Sequence, residues 1–266
     1  MKSIYTLLLI SLASSLSAAD DMKRVPVSYE IGESNFQGVL IYDADEYDEP
    51  LPGIIMYPNW MGPSEASYEK AERIADDDFA VFVADMYGSG IRPSNSSEAG
   101  EAAGTVRADR ALMRERALKA VEVFDGLAHA HPIDTDNTLA IGFCFGGGTV
   151  LEMARSGTDA VDGVVSFHGD LQSPTLEADA AQVRIPQLIL HGAEDPYVPQ
   201  EDVQAFIAAM QAGGVEDWTL VQFSGTVHSF TDPNATSDGA RYHKRSADRA
   251  FEMMDDFADE VLDLDD

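Results

Sequence analysis

The stretch that most constrains the fold is residues 142–148, Gly-Phe-Cys-Phe-Gly-Gly-Gly, which holds the chain's single cysteine. It follows the apolar run 138–141 and precedes a segment of helical character, so it predicts a strand, a sharp turn and a helix. Glycines beside Cys144 allow a tight turn and a close approach of the helix to the strand, because they have no Cβ. Such a turn presents a nucleophile at its tip. The alternative is that Cys144 is a small buried hydrophobic residue, the commoner role of a lone cysteine.

Short apolar segments alternate with helical ones along the rest of the chain. We predict an antiparallel pair of strands at 25–30 and 36–42. Further strands are predicted at 54–57, 79–84, 138–141, 161–167, 187–190 and 218–223. Helices are predicted at 64–75, 107–127, 201–210 and 242–262. Residues 85–103, rich in Gly, Ser and Pro, are predicted to be a long loop and a candidate lid. This order predicts an α/β fold with a doubly wound, mostly parallel sheet, helices on both faces and a ligand site at the carboxyl ends of the strands.

The first residues have the features of a secretory signal peptide. Lys2 supplies the charged region, residues 4–16 the apolar region, and Ser17-Ala18-Ala19 the small-residue cleavage site, so we expect cleavage near Ala19 and an exported, periplasmic or secreted protein. Residues 20–266 are predicted to form a single domain. No later run approaches the roughly 20 apolar residues that a membrane-spanning helix needs.

The chain is strongly acidic, with 47 Asp and Glu against 17 Lys and Arg and a formal net charge of −30. A surface this negative repels nucleic acids and anionic membranes, so neither is expected as a partner, and we interpret the acidic residues as a solvated coat. No His and Cys spacing indicates a metal site, and no Gly-rich loop fits a dinucleotide. We therefore expect a cofactor-independent protein that acts on a small molecule, as a monomer or a weak homodimer.

A cysteine nucleophile requires a base to take its proton and an acid to orient that base. Asp195 follows the predicted strand 187–190, and His228 follows the predicted strand 218–223, so both are expected at the edge of the sheet where Cys144 lies. Each has a rival nearby, since Glu194 is an alternative acid and His191 an alternative histidine. The three strand ends together predict nucleophilic catalysis.

Several segments together resemble the dienelactone hydrolase family, the cysteine-type branch of the α/β-hydrolases, over approximately residues 51–257. These segments are 57–62 (YPNWMG), 84–88 (ADMYG), 142–147 (GFCFGG), 191–195 (HGAED) and 227–230 (VHSF). The resemblance implies an α/β-hydrolase fold, a triad of Cys144, Asp195 and His228, and an oxyanion hole from the backbone N–H groups of Phe145 and Trp60. It implies a hydrolase that cleaves a lactone or a small carboxylic ester. A general carboxylesterase or thioesterase, and a non-catalytic binding protein on the same fold, are the alternatives.

The chain departs from the family at two positions. Asn59 stands where the characterised enzymes have a glutamate that hydrogen-bonds the resting thiol, and Asp232 stands where they have an arginine that contacts the substrate carboxylate. Arg92, Arg107 or Arg110 could supply a cation instead. The predicted pocket residues are Asn59, Tyr87, Arg92, Arg107 and His168, the last at a strand end.

Overall fold

One eight-stranded sheet organises the molecule. The computed structural model describes residues 22–44, 49–76, 79–262 and 264, and the predicted signal peptide lies outside these ranges. The strand order is β1-β2-β4-β3-β5-β6-β7-β8. The strands are β1 (Met22–Ile31), β2 (Ser34–Asp43), β3 (Leu51–Tyr57), β4 (Ala80–Val83), β5 (Ile133–Phe143), β6 (Gly163–Phe167), β7 (Gln187–Gly192) and β8 (Trp218–Phe223).

Helices connect these strands and cover both faces of the sheet. They are α1 (Glu65–Ala75), α2 (Ser96–Ala108), α3 (Arg110–Leu127), α4 (Phe145–Ala154), α5 (Leu176–Ala180), α6 (Gln200–Gly213) and α7 (Lys244–Leu262). β1 pairs with β2, and β2 with β4, in antiparallel fashion, whereas the other neighbouring strands are parallel. The α/β-hydrolase architecture predicted from the sequence is therefore confirmed.

The central strands are apolar on both faces because each face packs against a layer of helices. Along β3, Ile54 and Met56 belong to one hydrophobic layer, and Ile55 and Tyr57 to the other. All four side chains are fully buried. This explains why the strand is a continuous apolar run rather than an alternating one. In the part of the chain that the structure covers, no helix is both long and apolar enough to cross a bilayer.

The predicted loop at 85–103 is partly wrong, because its second half forms most of α2. The Asn95 side chain caps this helix by accepting hydrogen bonds from the N–H groups of Ser97 and Glu98, at 3.0 and 3.1 Å. The predicted helix 107–127 is likewise two helices, since Asp109 adopts an extended conformation between them. The Asp109 carboxylate then caps α3 through the Leu112 N–H at 3.0 Å. The remaining predicted elements differ from the observed ones mainly at their ends.

Candidate active site

Cys144 lies at the turn between β5 and α4, at the carboxyl edge of the sheet. Its backbone φ is 55°, an unfavourable conformation for a residue with a side chain. The flanking glycines are required by close contact: a Cβ on Gly142 would overlap the Gly146 carbonyl, and a Cβ on Gly146 would overlap the Tyr57 carbonyl. The elbow is thus held in its strained form by the packing of α4 against β3 and β5.

His228 joins Asp195 to the cavity on which Cys144 lies. The Nδ1 atom of His228 is 2.7 Å from Oδ2 of Asp195, and the His228 side chain lines the same cavity as the Cys144 thiol. Asp195 is buried, and its other oxygen accepts hydrogen bonds from the N–H groups of Tyr197 and Val198 at 2.8 and 3.2 Å. These bonds fix the carboxylate, which in turn fixes the orientation of the imidazole.

The environment of the pair favours a thiolate beside an imidazolium. Burial lowers the pKa of His228, but hydrogen bonds to Asp195 and Cys144 outweigh it and raise that pKa to about 10. Burial raises the pKa of Cys144, but the hydrogen bond and charge of His228, the Arg107 guanidinium and the Phe145 N–H outweigh it and lower that pKa below its usual value. Both shifts stabilise the charged form of each partner.

The predicted oxyanion donors come from two turns, one at the start of α4 and one after β3. The Phe145 N–H, at the start of α4, is one of the groups that lower the pKa of the Cys144 thiol. Trp60 lies in the turn after β3, where the Asn59 side-chain oxygen accepts the Met61 N–H at 2.9 Å. The Tyr87 hydroxyl donates to the Trp60 carbonyl at 3.0 Å. Asn59 and Tyr87, predicted to line the pocket, therefore hold the turn that carries Trp60.

The thiol opens into a cavity of about 500 Å³. Arg107, from the last turn of α2, lines this cavity and lies over the Phe145 ring at 5.6 Å from its centroid. Arg110, the other cation on this side, is instead 3.9 Å from Asp170. The cavity is lined by Trp60, Ser96, Arg107, Cys144, Asp170, Tyr197, Val198, His228, Ser229, Ser237 and Ala240.

Four of the five predicted pocket residues lie outside this lining, namely Asn59, Tyr87, Arg92 and His168. Arg92 forms an ion pair with the buried Asp85 at 3.0 Å and lines a separate cavity of about 430 Å³. His168 is buried behind His228, with its ring centroid 5.1 Å from that of His228, and its Nε2 is 2.9 Å from Thr231 Oγ1. The Arg92 contacts do not include a residue of the cavity that contains Cys144, whereas His168 packs against one of its lining residues, His228.

The rival acid and base are also placed elsewhere. Glu194 is exposed, and its carboxylate accepts the Gly225 N–H at 3.1 Å. His191 is buried at the end of β7. Burial lowers its pKa, so the ring is neutral at neutral pH. Asp195 is therefore the carboxylate that contacts His228.

Tyr197 lines the cavity but is absent from the sequence-based prediction. Its ring stands edge-on to His228 at a centroid distance of 5.3 Å, and its side chain is 63% exposed. Its position two residues after Asp195, in the same turn, is the signal that could have identified it. Within the described ranges, no group of three or more His, Cys, Asp or Glu side chains is arranged to hold a metal ion.

Comparisons with known proteins give the family. The sequence profile of the dienelactone hydrolase family matches residues 36–262. A solved structure named m3DLH is 33% identical, covers 91% of this chain and 99% of its own, and superimposes with a TM-score of 0.81. A dienelactone hydrolase-like promiscuous phosphotriesterase from metagenomic libraries is 31% identical, with the same coverage and TM-score.

Among curated sequences, the putative esterase NocK of Nocardia uniformis is 32% identical over 126 residues, which are 47% of this chain and 36% of NocK. The chain thus spans about a third of that relative. The family match, by contrast, extends from β2 to the end of α7 and includes every residue of the site described above. The chain belongs to the dienelactone hydrolase family and is an ester- and lactone-cleaving hydrolase of the α/β-hydrolase fold.

Proposed function

We propose that the chain hydrolyses a lactone or small carboxylic ester through a covalent thioester on Cys144. The observation that supports this proposal is the hydrogen bond between Asp195 and His228, together with the cavity that the Cys144 thiol and His228 both line. An imidazole positioned in this way can take a proton from the nucleophile and return it to the leaving group.

In the first half of the reaction, the thiol proton resides on His228 and the thiolate attacks the acyl carbon. The carbonyl electron pair moves to oxygen, and the N–H groups of Phe145 and Trp60 donate to the resulting oxyanion. Each such donor contributes about 2.7–4 kcal/mol to transition-state stabilisation. Collapse of the tetrahedral intermediate expels the alkoxide, which takes the proton from His228 and leaves the thioester.

In the second half, His228 takes a proton from water as the water oxygen attacks the thioester carbonyl. The same two N–H groups hold the second oxyanion. When this intermediate collapses, the carboxylic acid departs, and the sulfur leaves as the thiolate beside the imidazolium. Asp195 keeps its hydrogen bond to His228 throughout and stabilises the imidazolium.

Arg107 supports a preference for substrates with an anionic group. Its guanidinium lines the cavity that contains the thiol, and it is a matched donor for a carboxylate. Trp60 and Tyr197 provide aromatic walls at the same cavity, and both are partly exposed there. We therefore expect a compact ester or lactone bearing a carboxylate to be hydrolysed faster than its neutral counterpart.

A general carboxylesterase activity is the second candidate, favoured by the similarity to a putative esterase. The similarity to a promiscuous phosphotriesterase adds phosphotriesters to the substrates that deserve assay. Hydrolysis of a general carboxylic ester or of a phosphotriester by this chain would use the same thiolate nucleophile and the same oxyanion donors as the main proposal. Family membership argues against a non-catalytic binding protein.

Export through the leader at 1–19 is proposed on the sequence pattern alone, and a mature protein starting near Asp20 in a periplasmic or secreted fraction would support it.

The test is hydrolysis of a chromogenic short-chain ester and of a dienelactone by the wild type and by Cys144→Ala. We expect the variant to lose activity by several orders of magnitude, because it lacks the nucleophile. Ser96→Ala and Ser237→Ala are matched controls, since both hydroxyl groups line the same cavity, and we expect both to keep near-wild-type rates. Undiminished turnover by Cys144→Ala would contradict the proposal.

A further inference from the structure

Lys70 is a partly buried cation behind the elbow that the proposed reaction does not use. It extends from α1 so that its Nζ atom lies 3.8 Å from the centroid of the Phe143 ring, and Phe143 is the residue immediately before Cys144. Nζ is also 3.4 Å from Thr231 Oγ1. Withdrawing an ammonium group from water is costly unless nearby groups compensate it. The Phe143 ring face and the Thr231 hydroxyl provide part of that compensation.

Lys70 connects through Thr231 to the histidines of the site. Thr231 Oγ1 is 2.9 Å from Nε2 of His168, and the His168 ring packs against His228. The non-glycine residues with positive φ in the described chain, Cys144, His168 and Ser229, all lie in this region. Clustered backbone strain is a mark of functional sites, where surrounding contacts hold it in place.

The charged groups that face the thiol are mostly cationic. His228 faces it from the loop after β8 and Arg107 from α2, while Lys70 of α1 lies against the ring of Phe143, the residue before Cys144. Asp195 is hydrogen-bonded to His228, and Asp170, which lines the same cavity as the thiol, lies 3.9 Å from Arg110. His168 is neutral, because burial first, and then the charges of His228 and Lys70, hold its pKa well below the usual value.

The groups that face Lys70 leave it protonated at neutral pH. Burial is the largest influence and, with Arg73, it lowers the pKa of Lys70 to about 8 against the opposing charges of Asp232 and Cys144. A cavity of about 330 Å³ lies beside Lys70, and its lining includes the charged residues Glu69, Arg73 and Asp232 as well as Asn59. At position 59 the residue is a neutral amide, so it adds no carboxylate that would pair with the ammonium.

We propose that Lys70 is a positioning residue that keeps the resting sulfur of Cys144 in its thiolate form from behind the elbow. It complements His228 and Arg107, which face the sulfur from the substrate side. The inference rests on the proposed role of Cys144 as nucleophile. It predicts a thiol that is reactive at neutral pH before any substrate binds.

The test is the pH dependence of alkylation by iodoacetamide, followed by intact mass. Cys144 is the single cysteine of the chain, so each added mass reports one site. We expect Lys70→Met to raise the apparent pKa of the thiol by about half to one pH unit, which makes alkylation about three- to tenfold slower on the acidic side of the profile. Lys70→Arg keeps a cation and should keep the wild-type rate there.

Arg73→Met is the matched control, because Arg73 lies one turn along α1 and lines the same cavity, but its guanidinium packs over Phe251 rather than Phe143. We expect its profile to stay within about twofold of the wild type. Thermal unfolding of each variant verifies that it is folded. A Lys70→Met profile that superimposes on the wild type, or an equal loss in Lys70→Arg, would overturn the inference. Neither result would contradict the proposed hydrolysis, because Cys144→Ala tests that proposal separately.

Discussion

At Cys144, backbone geometry and electrostatics act on the same sulfur atom. The positive φ lifts the side chain out of the turn between β5 and α4, and the glycines on either side allow the close packing that holds it there. His228 and Arg107 then favour its ionised form. The residue therefore combines exposure to a cavity with a lowered pKa, which is what distinguishes a reactive cysteine from a buried structural one.

Replacement of Asp195 tests which group sets the pH range over which the enzyme is active. Asp195→Asn removes the carboxylate that raises the pKa of His228, so the imidazolium should lose its proton well below the wild-type value of about 10. In the wild type, activity should fall on the acidic side as Cys144 is protonated and on the alkaline side as His228 is deprotonated. We expect the alkaline limb of kcat/KM to move to lower pH in the variant, with a loss of about 10²–10⁴-fold at the optimum. An unshifted alkaline limb would contradict this role of Asp195.

Replacement of Arg107 tests substrate charge. Arg107→Met removes the guanidinium from the cavity while keeping much of its apolar stem. We expect kcat/KM for an ester that carries a carboxylate to fall by about 10- to 150-fold, the value of one charge-assisted hydrogen bond, and that for a neutral ester of the same shape to fall much less. Arg184→Met is the control, since Arg184 is exposed before β7, at the opposite edge of the sheet. Equal losses for both esters would rule out charge recognition.

The helix behind the nucleophile, α4, is anchored by buried charges. Glu152 is fully buried and forms ion pairs with Arg114 of α3 at 2.8 Å and with Arg155 at 3.0 Å. Arg114 also pairs with Asp179 of α5, and Arg155 donates to the Leu171 carbonyl at 2.9 Å. Through these bonds one carboxylate joins three helices on the face of the sheet that supports the elbow.

Removing that carboxylate should therefore destabilise the fold. Glu152→Ala leaves two guanidinium groups without their buried partner, and we expect the free energy of unfolding to fall by about 3–5 kcal/mol in urea denaturation. Glu122→Ala is the control, because Glu122 pairs with Lys119 on the exposed surface of α3, and it should cost at most about 1 kcal/mol. If the free energy of unfolding fell equally little in both variants, the ion pairs of Glu152 would stabilise the fold no more than a surface ion pair does.

At the level of elements, the sequence predicted the sheet well because central strands are short apolar runs with clear turn signals. It missed α2 because Gly100 and Gly104 lower the helix propensity of that segment, although Asn95 is a recognisable cap. Asp195 and His228, which the sequence predicts at neighbouring strand ends, are hydrogen-bonded to each other, and His228 lines the same cavity as Cys144. Lys70 could not be anticipated as a neighbour of the elbow, because its contact depends on how α1 packs against the sheet.

The molecule as a whole carries a formal net charge of −30. Charges of one sign repel one another more strongly in the compact state than in the extended chain, so this excess opposes folding at low ionic strength. Salt screens that repulsion over distances of about 10 Å at 0.1 M. The acidic surface also leaves the cations near Cys144 as a local exception in an otherwise negative field.

Salt should accordingly stabilise the folded protein. Between 0.02 and 0.5 M NaCl, conditions chosen for the assay, we expect the free energy of unfolding to rise by about 1 kcal/mol or more, which corresponds to about 2–4 °C in Tm for a chain of this size. KCl at equal ionic strength should give the same increase if screening is the cause. A Tm that stays constant or falls with salt would show that the net charge does not limit stability.

The covalent intermediate gives the most direct test of the central claim. The wild type is mixed with a slowly deacylating chromogenic ester, quenched in acid at early times, and examined by intact mass and peptide mapping. We expect an added mass equal to the acyl group on the peptide that contains Cys144, formed at the rate of the chromogenic burst and absent from Cys144→Ala. Full turnover by Cys144→Ala, or an acyl group found on another residue, would contradict the account.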